Sequence, residues 1–139
     1  MPSANRGMTR RYGIDTSILV RLLTGDPPEI FERCVAGLGE LAEEGCEVFA
    51  SNQVIGEAYV AVQHHYGVSK VEARSGLADV LRSGLVGPRR GRRVLAALGE
   101  GSGAGLLDRL IAMEYEDEGL TTLTLDERMA RLPETTLLA

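Results

Sequence analysis

Four acidic residues stand where carboxylates are costly to place. Asp15 directly follows a strand-like segment at residues 11–14. Glu57 falls inside Val54-Ile55-Gly56-Glu57-Ala58-Tyr59-Val60, where a helix would bury one face. Asp108 lies in the first turn of a helical segment that continues through Leu110 and Ile111. Asp126 lies two residues past Thr122-Leu123-Thr124. Lone carboxylates are almost never fully buried unless paired or metal-bound. Four of them at one cleft would repel one another and raise each other's pKa values. A hard divalent cation removes that conflict. Mg²⁺ or Mn²⁺ takes oxygen ligands, and Mg²⁺ keeps several waters beside one or two carboxylates. Such a cation activates water and neutralises charge developing on a phosphate. Each acid also has a plain structural use: Asp15 as a helix cap, Asp108 beside a helix N-terminus, Asp126 as the cap of a turn, Glu57 at an exposed edge. The other three aspartates are ordinary, Asp26 as a helix cap and Asp79 and Asp117 as solvated residues.

The elements that must position these acids alternate between strand and helix. A strand at 11–14 leads into a helix through residue 23, which Thr16 or Ser17 can cap. Asp26-Pro27-Pro28 starts a second helix that stops near Gly45. A strand at 47–50 follows. Ser51 or Asn52 then opens a helix to about residue 66, with Val54, Ile55, Ala58, Val62 and Tyr66 at helical spacing. Ser69 and Glu72 form a capping-box signature for a helix over 70–82. Leu85-Val86 reads as extended, 92–98 as a short helix and 99–103 as a glycine-rich turn. A helix near 105–118 ends at Gly119. Strand-like 120–123, a helical turn at 127–131 and a strand at 135–138 complete the chain. This alternation predicts an α/β layer fold with a parallel sheet, its cleft at the carboxyl ends of the strands.

The same residues resemble a known family. Tyr12-Gly13-Ile14-Asp15-Thr16-Ser17-Ile18-Leu19-Val20-Arg21 looks like the opening of PIN-domain proteins, a strand ending in Asp followed by Thr and Ser or Asn. Ser51-Asn52-Gln53-Val54-Ile55-Gly56-Glu57 resembles their second motif, and Asp108-Arg109-Leu110-Ile111-Ala112 their third. Thr122-Leu123-Thr124-Leu125-Asp126 is similar to the fourth. The resemblance runs from about residue 11 to 138 and is closest to the compact VapC-type toxins of bacterial toxin–antitoxin pairs. It implies a three-layer fold, a central and mostly parallel β-sheet flanked by helices. It also implies Mg²⁺- or Mn²⁺-dependent cleavage of RNA, a homodimer, and inhibition by a cognate antitoxin. The family's acidic positions fall on Asp15, Glu57, Asp108 and Asp126, as metal ligands and catalytic residues, with Thr124 and Ser17 as supporting hydroxyls. A non-catalytic PIN-like module that binds RNA or protein is the alternative. A phosphatase of the haloacid-dehalogenase type is set aside, because the second Asp it needs is here Ser17.

The remaining composition bounds these readings. The 139 residues suit one domain, and 44% hydrophobic with 25% charged residues is globular composition. Fifteen basic against twenty acidic residues give a net charge of −5, which disfavours coating nucleic acid or an anionic membrane through the overall field. A local positive edge remains possible. Arg89, Arg90, Arg92 and Arg93 lie within one short stretch and suit RNA phosphates, or an acidic partner surface. Arg10 and Arg11 are weaker candidates. A bound divalent cation would offset part of the acidity, so RNA binding is expected to be poor without metal. With aromatics at 4% and no Trp, base stacking is not expected to dominate recognition. Cys34 and Cys46 fit no zinc motif or disulfide framework and read as reduced thiols of a cytoplasmic chain. No apolar run reaches membrane-span length. Residues 1–9 read as a flexible tail ahead of a single domain at 10–139, and Met8 is a second possible start.

Overall fold

The computed structural model describes residues 10–139; the expected N-terminal tail and Met8 lie outside the described residues. The chain is mixed α/β. Its elements are β1 (Arg11–Gly13), α1 (Thr16–Thr24), α2 (Pro28–Glu43), β2 (Glu47–Ala50), α3 (Asn52–Tyr66), α4 (Lys70–Leu81), β3 (Gly87–Pro88), α5 (Arg92–Leu98), α6 (Leu106–Asp117), β4 (Thr122–Thr124) and β5 (Thr135–Leu137). A 3₁₀ turn at Met129–Arg131 lies between the last two strands.

Every strand pairing among the described residues is parallel, but the strands form two sheets, β1-β2-β3 and β4-β5. In the first sheet Arg11 faces Glu47, Tyr12 faces Val48 and Gly13 faces Phe49. On the other side Phe49 faces Gly87 and Ala50 faces Pro88. The ladder runs on past the strand ends, with Ile14 N–H donating to Phe49 O at 3.0 Å and Arg89 N–H to Ala50 O at 2.8 Å. Side chains alternate across a strand. Val48, Ala50 and Ile14 are buried in the core, while Arg11 and Gly13 are exposed and Phe49 is half-buried on the opposite face.

The core lies under the buried face. Leu19 of α1, Ile55 of α3, Leu77 of α4, Val86 before β3 and Val94 of α5 are its largest fully buried side chains. Helix α1 packs on α3, which also contacts α4 and α6. Local chemistry sets the ends of these helices. Ser51 Oγ accepts from Val54 N–H at the start of α3, and Gly67 closes it in the left-handed conformation at φ 65°. The Ser69/Glu72 capping box is formed at α4. At α2 the expected Asp26 cap is not made: Pro27 occupies the cap position, and Asp26 instead donates its N–H to Thr24 Oγ1 at 3.2 Å. No helix among the described residues is long and apolar enough to cross a membrane.

Candidate functional site

Asp15 leaves the carboxyl end of β1 and becomes the N-cap of α1. Its Oδ1 accepts from Ser17 Oγ at 2.5 Å and from Ile18 N–H at 3.3 Å. The Ser17 hydroxyl bond and then the Ile18 amide hold its carboxyl below the usual carboxylate range. The cap is therefore Asp15 itself, neither Thr16 nor Ser17. Thr16 is left free for another task.

That task is Glu57. Thr16 Oγ1 donates to Glu57 Oε1 at 2.5 Å, and Gln53 Nε2 donates to Oε2 at 3.1 Å. Both bonds favour the ionised carboxylate, Thr16 more than Gln53, and its pKa lies below the ordinary value. Thr16 follows Asp15 directly, so one residue couples the loop after β1 to the exposed side of α3. Glu57 is exposed, although its neighbours Gly56 and Ala58 are buried. Thr16 and Gln53 were not expected to take part. Gln53 is legible in retrospect, being one helical turn before Glu57, but the Thr16 contact spans 41 positions and needs the packed fold.

Asp108 stands in the first turn of α6. Helix α6 runs antiparallel to α3. Asn52 Nδ2 at the start of α3 donates to Leu110 O at 2.9 Å, while Leu107 lies against Gly56 one turn further along. The first turn of α6 therefore reaches toward the far half of α3. Asp108 lines a cavity of about 330 Å³ with Tyr59, Gln63, His64 and Lys70, separate from the cleft at Asp15. Asp126 ties down the turn that leads into the 3₁₀ segment: Met129 N–H donates to its Oδ1 at 2.8 Å, and its own N–H donates to Thr124 Oγ1 at 3.0 Å. Ser17 and Thr124 thus each hydrogen-bond an expected acid, through the side chain and the backbone respectively.

No three His, Cys, Asp or Glu residues among the described ones come together as a group that could hold a metal ion. Asp15 and Glu57 are linked through Thr16, which follows the first and donates to the second, and the hydrogen bonds of each favour its ionised form. That donor set suits Mg²⁺, which is bound through one or two carboxylates with the rest of its shell water. It does not make a cage of all four acids.

The arginine cluster divides. Arg90 lies 3.9 Å from Glu114 and 3.7 Å from Asp117, and Arg93 pairs with Asp117 at 2.8 Å and with Glu116. These carboxylates end α6, where the helix dipole is already negative, and the arginines offset that charge. The acidic partner of this stretch is thus within the chain, and Asp117 is ion-paired rather than simply solvated. Arg89 and Arg92 form no ion pair among the described residues. Arg89 lies beside the cleft at Asp15, a cavity of about 600 Å³ that Arg11, Tyr12, Phe49 and Ser51 also line. No family model, curated protein or solved structure matches the chain.

Proposed function

We propose that the chain is a divalent-metal-dependent endoribonuclease with a three-layer PIN-like fold, acting as the toxin of a type II toxin–antitoxin pair in the cytoplasm. The observation that carries this reading is the Asp15–Thr16–Glu57 connection at the carboxyl end of parallel β1, beside an open cleft with arginines at its edge. Ligand clefts of open α/β sheets form at that end of the strands. Asp15 and Glu57 would hold Mg²⁺ or Mn²⁺, with Asp108 and Asp126 as the further acids of the proposed set. The bound ion would activate water and neutralise charge at the scissile phosphate. Ser17 fixes the Asp15 carboxylate, and Thr16 with Gln53 fixes that of Glu57, so neither acid has to be reoriented or deprotonated first.

The proposal includes a homodimer and a cognate antitoxin. Supporting the dimer, a groove of about 740 Å³ between α3 and α6 carries the exposed apolar side chains Val60, Leu107 and Ile111. Contiguous exposed apolar surface marks interaction sites. The non-catalytic RNA- or protein-binding alternative is favoured by one observation, that no group of three acids forms among the described residues.

Incubation of the purified protein with structured RNAs in Mg²⁺, Mn²⁺ or EDTA separates the two readings. The nuclease reading expects cutting that EDTA abolishes and that Asp15→Asn lowers on the order of 100-fold, as when a charge-stabilising group is lost from an active site. Absence of cutting, or cutting that survives both EDTA and the substitution, overturns it.

A further inference from the structure

The face of the first sheet away from the core carries an aromatic ring flanked in register by a glycine on each adjoining strand. Phe49 stands on the middle strand, opposite Gly13 on β1 and Gly87 on β3. A Cβ at either glycine would meet no atom of the described residues within 4 Å. The two strands that would normally wall in a sheet-face aromatic therefore put no side chain on its flanks. Two guanidiniums lie over the ring instead, Arg11 at 5.0 Å and Arg89 at 6.0 Å from its centroid. Both distances are within the range of cation–π attraction. Arg11 also pairs with Glu47 across the strands at 3.3 Å, so its charge is partly answered. Arg89 has no ion pair among the described residues. Both side chains are long and exposed, able to lift from the ring. The cavity they border, about 600 Å³, reaches Asp15.

A phenyl ring, planar guanidiniums over it and a neighbouring cleft make up the chemistry that holds an unpaired nucleobase. Single-stranded RNA is gripped by stacking bases on aromatic rings and on arginine planes, with guanidiniums also reaching phosphates. We propose that Phe49, with Arg11 and Arg89, is the stacking subsite for one unpaired base of single-stranded RNA next to the cut at Asp15. The assignment rests on the nuclease proposal for its position relative to the cut, but not for the binding itself. It adds a single base contact to a chain whose composition gives no extended aromatic platform.

The test uses the full chain and a short single-stranded RNA carrying one 2-aminopurine, with Ca²⁺ in place of Mg²⁺ so that binding is read without turnover. Stacking on Phe49 quenches the 2-aminopurine emission on binding. Phe49→Leu should remove the quench and weaken binding about tenfold, the size of one base stack. Phe49→Tyr keeps a ring and should retain both, which separates a stacking role from damage to the sheet. Arg89→Lys keeps the charge and loses the plane, so the quench should fall while the salt dependence stays. A wild-type chain that neither binds nor quenches, or a Phe49→Leu chain that binds and quenches as wild type, overturns the subsite. Cleavage in Mg²⁺ with an unaltered Phe49→Leu chain removes the subsite and leaves the nuclease. Loss of binding in Phe49→Leu, with no cutting in any metal, removes the nuclease and leaves the subsite.

Discussion

At the scale of single residues, hydroxyl groups prepare the carboxylates. Ser17 and Thr16 donate to Asp15 and Glu57, and each bond favours the charged form. A carboxyl held below its ordinary value stabilises the fold at pH above that value, and the contribution fades as pH falls through the folded-state value. For Glu57 the ordinary value is 4.5, so its share is complete at neutral pH and lost in more acidic solution. Thr16→Val removes the larger of the two causes and leaves the Gln53 bond. Its Glu57 carboxyl is expected to titrate higher, toward 4.5, in a side-chain NMR titration, and an RNA-cleaving chain would show the acid limb of its pH profile moving the same way. An unmoved Glu57 titration would show that the Thr16 contact does not govern this carboxylate. Asp15 illustrates a related point. Capping α1 and offering a charge at a cleft are not competing roles, because both described bonds to its side chain fall on Oδ1.

At the scale of elements, short chemical signals decide where helices begin, and packing decides where they go. The Ser69/Glu72 capping box satisfies two backbone donors at the start of α4, whose Leu77 is fully buried in the core. Ser69→Ala should destabilise the chain by about 1 kcal/mol, the usual cost of losing an N-cap hydroxyl. Thermal denaturation measures this, and an unchanged midpoint would mean that α4 is held by packing alone. The placement of α6 is a packing decision. Leu107 reaches 2.9 Å from where a Gly56 Cβ would stand, and Asn52 binds the Leu110 carbonyl, so the helix is set antiparallel to α3. That one choice brings Asp108 into a cavity with His64 and Lys70. Helix α5 brings Arg93, and the turn before it Arg90, onto the acidic end of α6.

At the scale of the whole molecule, this pairing changes the meaning of the net charge of −5. Much of the positive edge expected at residues 89–93 is spent within the chain, and Arg89 and Arg92 remain for an external anion. The expectation that RNA binds poorly without divalent metal is therefore stronger than the arginine count suggests. The dimer proposal can be tested at this scale. Ile111 is 48% exposed on the α6 side of the large groove. Ile111→Glu should convert a dimer to a monomer in sedimentation equilibrium while leaving the melting transition folded and cooperative. A wild-type chain that is already monomeric, or a variant that stays dimeric, removes the groove from the dimer proposal.

Much of the fold was legible because its signals are local. The 4-residue strand Glu47–Ala50, the helices Asn52–Tyr66 and Arg92–Leu98, and the Ser69 capping box follow from periodicity, caps and glycine stops that operate within a few residues. Even the rival uses of Asp15 as a cap and of Asp126 as the tie of a turn were visible, since each needs only the next few residues. Contacts between distant segments were not legible. Nothing near Thr16 announces Glu57, nothing near Arg90 announces Asp117, and Phe49 gains its bare flanks only when Gly13 and Gly87 fall into register on either side. The sequence by itself determined which residues carry charge and which stretches form helix or strand, because those depend on neighbours along the chain. The tertiary structure alone decided which side chains meet: Asp15 is joined to Glu57 through Thr16, and Asp108 lines a cavity with His64 and Lys70. Register and helix direction are set by packing across the core, and no local signal encodes them.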